Sequence, residues 1–113
     1  MRILVDTNIM ISAILFPNSK VAQTLIYVTE HHDLVLCDRN IYELRNVLIR
    51  KKPDKLPDAE VFLAELSYEL IPSAIIADVD IILTGDKDFL SFKMDHPKCM
   101  NIAMFVEYEG LEL

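Results

Sequence analysis

Three carboxylates stand where a hydrolytic site needs them. Asp6 closes the opening run Arg2-Ile3-Leu4-Val5, Asp86 follows Ile81-Ile82-Leu83-Thr84-Gly85, and Glu43 falls about one turn into a helical pattern that follows Asp33-Leu34-Val35-Leu36-Cys37. Carboxylates that converge without a Lys or Arg between them repel one another, and the common resolution is a hard divalent cation with oxygen ligands. Mg²⁺ or Mn²⁺ is the natural guess, because such an ion activates water and neutralises charge on an attacked phosphate, the strategy of nucleases. Each acid alone has a plainer reading. An Asp after a strand is usually a turn or cap residue, Glu43 is an ordinary solvated helix residue, and Asp86 with Asp88 in Thr84-Gly85-Asp86-Lys87-Asp88 is a helix cap. Only their joint placement favours the metal.

Such a meeting requires a scaffold that brings distant segments to one edge. Met1 to Asp6 holds a continuous β-branched and aliphatic run that ends in a carboxylate, the pattern of a central strand buried on both faces. Ile9 to Leu15 is a short apolar run broken by Phe16-Pro17-Asn18-Ser19, and a helix from Lys20 to about His31, capped by Asn18 or Ser19, puts Val21, Thr24, Leu25 and Val28 on one face. Asp33 to Cys37 reads as the second strand. Asp38 then stands where an N-cap is wanted for a helix carrying Ile41, Leu44, Val47 and Leu48, stopped by Lys51-Lys52-Pro53. Pro57-Asp58 restarts a helix through Leu66, Tyr68 to Ile71 turns extended, Ile81 to Thr84 is a last core strand, and Met100 to Val106 is one more apolar stretch. Strands alternating with helices predict an α/β fold with a mostly parallel sheet. Ligands of such sheets collect beyond the carboxyl ends of the strands, where Asp6 and Asp86 stand.

The 113 residues allow one domain, 1–113, and 52% hydrophobic against 26% charged residues with only 2 Gly excludes disordered and low-complexity classes. No apolar run approaches the roughly 20 residues of a membrane span, so neither an anchor nor a signal peptide is expected. Cys37 and Cys99 are too few for a disulfide scaffold and fit a reducing cytoplasm as core or half-buried thiols. A formal charge of −7 repels a polyanion unless a cation or a local basic face reverses the field, which argues against simple nucleic-acid coating and leaves room for a metal-dependent enzyme.

One connection is too short for this scheme. If Tyr68 to Ile71 and Ile81 to Thr84 both belong to one parallel sheet, only Pro72 to Asp80 remains for a crossover that usually takes a dozen residues or more. Either the first segment continues the preceding helix, or the connection is swapped between two chains, or residues present in the parent protein are absent.

Val5-Asp6-Thr7-Asn8 and the stretch from Ala77 to Leu90, with Asp78-Val79-Asp80-Ile81-Ile82-Leu83-Thr84-Gly85-Asp86-Lys87-Asp88 at its centre, resemble a PIN domain, closest to the bacterial and archaeal toxin components of toxin–antitoxin pairs. The likeness runs along nearly the whole chain. It implies a three-layer α/β/α sandwich with a parallel central sheet and a divalent-metal-dependent endoribonuclease site for single-stranded RNA. Asp6, Glu43 and Asp86 match the first, second and fourth acidic positions of the family, with Asp88 as a further helper at the metal. Asn8 and Thr84 match positions that orient those carboxylates. The chain also departs from the pattern: the family's further Asp, at the start of the helix that ends like Ser73 to Asp78, is missing, at the same place as the short crossover. Both observations predict a missing segment at the Pro72/Ser73 junction. Asp78 or Asp80 could substitute by position, although neither matches the family's ligand.

Other constellations carry less. His31, His32 and His96 lack zinc-ligand spacing, Ser12 has no nucleophile elbow around it, and Met94, Met100 and Met104 read as core filler or a partner surface. Arg39, Arg45 and Arg50 with Lys51 and Lys52 form the one evident basic strip, either a solvated face or a track for an RNA backbone. The resulting expectation is a Mg²⁺- or Mn²⁺-dependent endoribonuclease of the PIN type, a cytoplasmic toxin held by an antitoxin protein. Without the third acid its cleavage is expected to be weak, and exchange across the short connection makes it a homodimer. The alternative is a catalytically silent PIN-fold module that binds RNA or a protein. A metal-dependent phosphatase is a third reading, disfavoured because no Asp-x-Asp pair ends the first strand.

Overall fold

The computed structural model describes residues 1–72, 79–85 and 97–112. Its core is a five-stranded, all-parallel sheet flanked by helices, as the alternation of strand and helix patterns predicts. The chain runs β1 (Arg2–Val5), α1 (Thr7–Leu15), α2 (Lys20–His31), β2 (Asp33–Cys37) and α3 (Asp38–Lys51). A 3₁₀ turn (Pro53–Lys55), α4 (Leu56–Glu65), β3 (Glu69–Ile71), β4 (Ile81–Leu83), β5 (Lys98–Met100) and α5 (Ile102–Glu109) follow. Spatial order is β3-β2-β1-β4-β5. β1 pairs with β2 in the register Leu4 to Val35, and with β4 in the register Val5 to Leu83. The sheet therefore grows outward from β1 in both directions, and the boundary between β1 and β4 is its topological switch point.

Strand alternation divides the core. Ile3, Val5, Leu34, Leu36, Ile81 and Leu83 point to one face, where buried residues of each described α-helix meet them. Leu4, Val35, Cys37, Ile71 and Ile82 form a second buried cluster on the opposite face, joined by Val79. Burial of β1 on both faces is what its unbroken aliphatic sequence requires.

The helices start where local chemistry allows. Ser19 caps α2, its hydroxyl oxygen accepting from the Ala22 amide at 3.2 Å. Asn101 caps α5 in the same way through the Met104 amide at 2.8 Å, and Gly110, at φ 65, ends that helix in the left-handed conformation that glycine adopts without strain. The N-cap of α3 is Cys37, with Asp38 as its first helical residue. This is one position from the expected cap, and the Asp38 carboxylate instead accepts from the adjacent Arg39 amide at 2.7 Å. The helix α5 lies on α2: Phe105 is fully buried, its ring edge-on to Tyr27 at 6.4 Å, and His32 bonds the Glu109 carboxylate.

Glu69 to Ile71 is an edge strand paired with β2, which removes the reading that it continues α4. Its parallel alignment with β4 leaves residues 72–80 as the whole connection across β2 and β1.

Candidate nuclease site

Asp6 is fixed from both sides by backbone bonds. Its amide donates to the Leu83 carbonyl at 2.9 Å, extending the β1–β4 ladder, while its own carbonyl accepts from Ile9 at 3.1 Å and Met10 at 3.2 Å as α1 begins. The residue occupies the N-cap position, yet its side chain makes no capping bond, which removes the plain cap reading. Instead the carboxylate faces across the switch point. Thr84, one residue past β4 and 1% exposed, donates its hydroxyl to Asp6 Oδ2 at 3.3 Å.

A second hydroxyl serves the second acid. Thr7, the first residue of α1 and 5% exposed, donates from Oγ1 to Glu43 Oε2 at 3.2 Å. The Asn40 side-chain amide donates in turn to Thr7 Oγ1 at 3.1 Å. Asp6 and Glu43 are thus joined through one residue: the amino acid after Asp6 holds Glu43. Arg39 lies one turn earlier on α3 and approaches Glu43 Oε1 at 3.5 Å. The Asn40 Oδ1 atom is buried and has no hydrogen-bond partner among the described residues.

Both acids offer hard carboxylate oxygens supported by neutral hydroxyl donors, a donor set that suits Mg²⁺ or Mn²⁺ better than a softer ion. Among the described residues, however, no group of three His, Cys, Asp or Glu side chains is placed to hold a metal. Asp86 and Asp88, the expected third and helper acids, lie outside the described residues, as do Asp78, His96 and Met94. Asp80 stands at the other end of β4, where its carboxylate accepts from the Arg2 amide at 2.8 Å. It therefore faces away from the carboxyl edge and does not supply a ligand beside Asp6.

Asn8 is exposed on α1, and its side chain makes no hydrogen bond among the described residues. Thr7 is the side chain that donates to Glu43, and Asn40 donates to Thr7. Neither was singled out by sequence, because both bonds join residues more than thirty positions apart. The adjacent histidines are also committed: His31 Nδ1 sits 3.2 Å from the Tyr27 carbonyl and its ring stacks on Tyr27, while His32 pairs with Glu109.

The basic strip divides on the helix surface. At 100° per residue, Arg39, Glu43 and Arg50 fall within about 40° of one another, whereas Arg45 lies about 120° from Arg39. Arg45 turns to α4 and grips Glu60 with two bonds, Nε to Oε1 at 2.7 Å and Nη2 to Oε2 at 3.1 Å. This bond holds the Glu60 carboxyl below its ordinary range and raises the guanidinium further. Arg50 Nε donates to the Asn46 carbonyl at 3.4 Å. Cys37 and Cys99 are both free thiols, and burial pushes the Cys99 thiol up.

No curated protein sequence matches the chain. Among solved structures, one chain from the crystal structure of VapBC2 from Rickettsia felis, bound to a DNA fragment from their promoter, superposes with a TM-score of 0.66 over 89% of this chain and 98% of that one. At 14% identity, that likeness concerns the fold. The sequence of the half that carries Asp6 and Glu43 is more specific: a family model described as PIN domain matches residues 2–71, from β1 through β3, and the chain belongs to the PIN domain family.

Proposed function

We propose that this protein is a metal-dependent endoribonuclease of the PIN type that cleaves single-stranded RNA, and that it is the toxin of a toxin–antitoxin pair. The observation that carries this reading is a pair of acids linked through consecutive residues, Asp6 at the switch point oriented by Thr84 and Glu43 on α3 held by Thr7, the residue that follows Asp6. Membership of the PIN family and the likeness to a VapBC2 chain support it. Asp6, Glu43 and Asp86 would hold Mg²⁺ or Mn²⁺, with Asp88 beside them, and the ion would activate water and neutralise charge on the attacked phosphate. The Thr84 and Thr7 hydroxyls donate to carboxylate oxygens, which favours the charged form and fixes its direction. Arg39 and Arg50, on the face that carries Glu43, meet the RNA backbone, while Arg45 braces α3 against α4. The apolar groove between α2 and α4, about 330 Å³ and lined by Pro17, Ile26, Phe62 and Leu66, offers an antitoxin a surface. Among the described residues no single helix is long and apolar enough to cross a membrane, which suits a cytoplasmic pair.

The test is a cleavage and melting series on the chain. In Mn²⁺ we expect weak cleavage of single-stranded RNA that falls by about a hundredfold in Asp6→Asn, and a Tm that rises with Mn²⁺ in the wild type but much less in that variant. Equal cleavage by Asp6→Asn overturns the reading. The silent module is favoured if the family's further acid, absent here at the Pro72/Ser73 junction, is absent from the native protein as well. It predicts RNA or protein binding with no metal-dependent cleavage at all.

The short connection belongs to the same proposal. The family match ends at Ile71, one residue before Pro72, which supports a segment absent at the Pro72/Ser73 junction from an otherwise single domain over 1–113. Sequencing the parent gene across that junction should reveal in-frame codons for the family's further acid, and an uninterrupted gene refutes the deletion. Exchange of elements across the connection makes the chain a homodimer, so light scattering that finds a strict monomer removes that part.

A further inference from the structure

We infer that Asn40 is a positioning residue for Glu43 and that it acts through the Thr7 hydroxyl. The inference rests on the reading of Glu43 as a metal ligand. A threonine hydroxyl has one proton to give and can accept as well. Two acceptors lie within reach of Thr7 Oγ1, the Glu43 Oε2 atom at 3.2 Å and the Asn40 backbone carbonyl at 3.5 Å. The closer acceptor is charged, and a charged acceptor makes the stronger bond.

The Asn40 side chain decides whether that bond survives. Its Nδ2 donates to Thr7 Oγ1 at 3.1 Å, so the oxygen's lone pair is engaged and its proton stays available for Glu43. If the amide were reversed, its oxygen would face the hydroxyl and compete for the one proton, releasing Glu43. The observed orientation leaves Oδ1 buried and without a partner among the described residues. A buried amide oxygen without a donor is an unfavourable arrangement, and such groups persist where another contact of the same side chain is needed. The relay from Asn40 to Thr7 to Glu43 is that contact. Thr7 is itself buried, and a hydroxyl shielded from water offers its proton to one acceptor consistently.

The experiment is a double-mutant cycle read by Mn²⁺ affinity, measured by calorimetric titration of the full chain with the metal alone. Asn40→Leu, nearly isosteric and apolar, should weaken Mn²⁺ binding by about tenfold, the low end for an outer-shell ligand partner. Thr7→Val should weaken it by a similar factor. In the Thr7→Val background Asn40→Leu should then change the affinity by less than about twofold, because a residue acting through another has no separate effect once the intermediary is gone. Full additivity of the two losses, or no loss in Asn40→Leu, overturns the relay. Glu43→Gln is the control on the underlying reading. If it leaves Mn²⁺ affinity unchanged, Glu43 is not a ligand, whatever Asn40 does; if it weakens binding while Asn40→Leu does not, the relay alone is wrong. Asn40→Ala, carried through the same cycle, serves if the leucine variant does not fold by circular dichroism.

Discussion

From β1 towards β3 the sheet is assembled from strands of four, five and three residues joined by described helices, of which α2 carries a side-chain cap; from β1 towards β5 the described residues include two strands of three residues each. The first side is specified mostly by near neighbours. Ser19 caps α2 three residues ahead of the amide it serves, and Pro53 stands two residues past the end of α3. The second side is specified by pairing: β4 is placed by its register against β1, and the Thr84 amide is tied to the Met100 carbonyl at 2.9 Å. The candidate site lies on the seam between the two. Asp6 is delivered by the locally specified half, and the hydroxyl that orients it arrives from 78 residues away. A site built this way depends on long-range packing for its geometry even though its first acid sits at the sixth position of the chain.

Core truncation on either side of the seam separates stability from site geometry. Leu36 in β2 and Leu83 in β4 are both fully buried in the same cluster, so Leu36→Ala and Leu83→Ala should each lower unfolding free energy by about 2–5 kcal/mol in urea melts. Mn²⁺ affinity should distinguish them. The Leu83 carbonyl receives the Asp6 amide and Thr84 follows it, so Leu83→Ala should also weaken metal binding, whereas Leu36→Ala should leave the affinity of the folded fraction near that of the wild type. Equal losses of affinity in both variants would show that the seam has no special dependence on β4.

A smaller change probes the seam directly. Thr84→Val keeps the shape of a buried side chain and removes the hydroxyl that donates to Asp6 Oδ2. About 1 kcal/mol of stability should be lost with it, together with roughly tenfold in Mn²⁺ affinity. Thr84→Ser, which restores the hydroxyl, should recover most of the affinity but not the packing of the lost methyl. A serine variant as weak as the valine one would assign the effect to packing alone.

Which parts were legible follows from the same contrast. β1, α2, β2 and α3 could be read from the order of residues because burial on both faces, helical periodicity and caps are local signals, and α2 spans Lys20–His31 as its pattern predicts. Ile9 to Leu15 gave no clear helical face because it is apolar nearly all round; in the structure Ile9, Met10, Ala13 and Ile14 are all buried. β5 had no sequence signal at all, since Lys98-Cys99-Met100 is three residues long and gains its identity from pairing with Ile81 to Leu83. In the site, Asp6 and Glu43 were visible as acids beyond strand ends, but Thr7 and Asn40 were not, since their role appears only when α1 and α3 come together. The division of the basic strip was present in the numbers: a spacing of six between Arg39 and Arg45 cannot keep both on one face of a helix.

The smallest expected effect concerns Arg45 and Glu60, which join α3 to α4 wholly within the locally specified half. Their bidentate geometry is good, yet both side chains are about half exposed, and water and salt screen such a pair to about 1 kcal/mol at most. The sign of its pH dependence follows from Glu60. The Arg45 bond lowers the Glu60 carboxyl in the folded protein relative to its ordinary value of 4.5, so the unfolded chain takes up a proton first as the solution is acidified. The stabilisation is fully present above that ordinary value and is lost as pH falls through the lower folded one. Arg45 stays charged throughout and adds no dependence in this window. Urea melts of wild type and Glu60→Gln should therefore differ by up to about 1 kcal/mol at pH 7 and converge as pH falls below 4.5 and through the lower folded value, with the difference at pH 7 shrinking in high salt. A difference that persists undiminished at low pH would mean that Glu60 contributes through packing of its stem rather than through its charge.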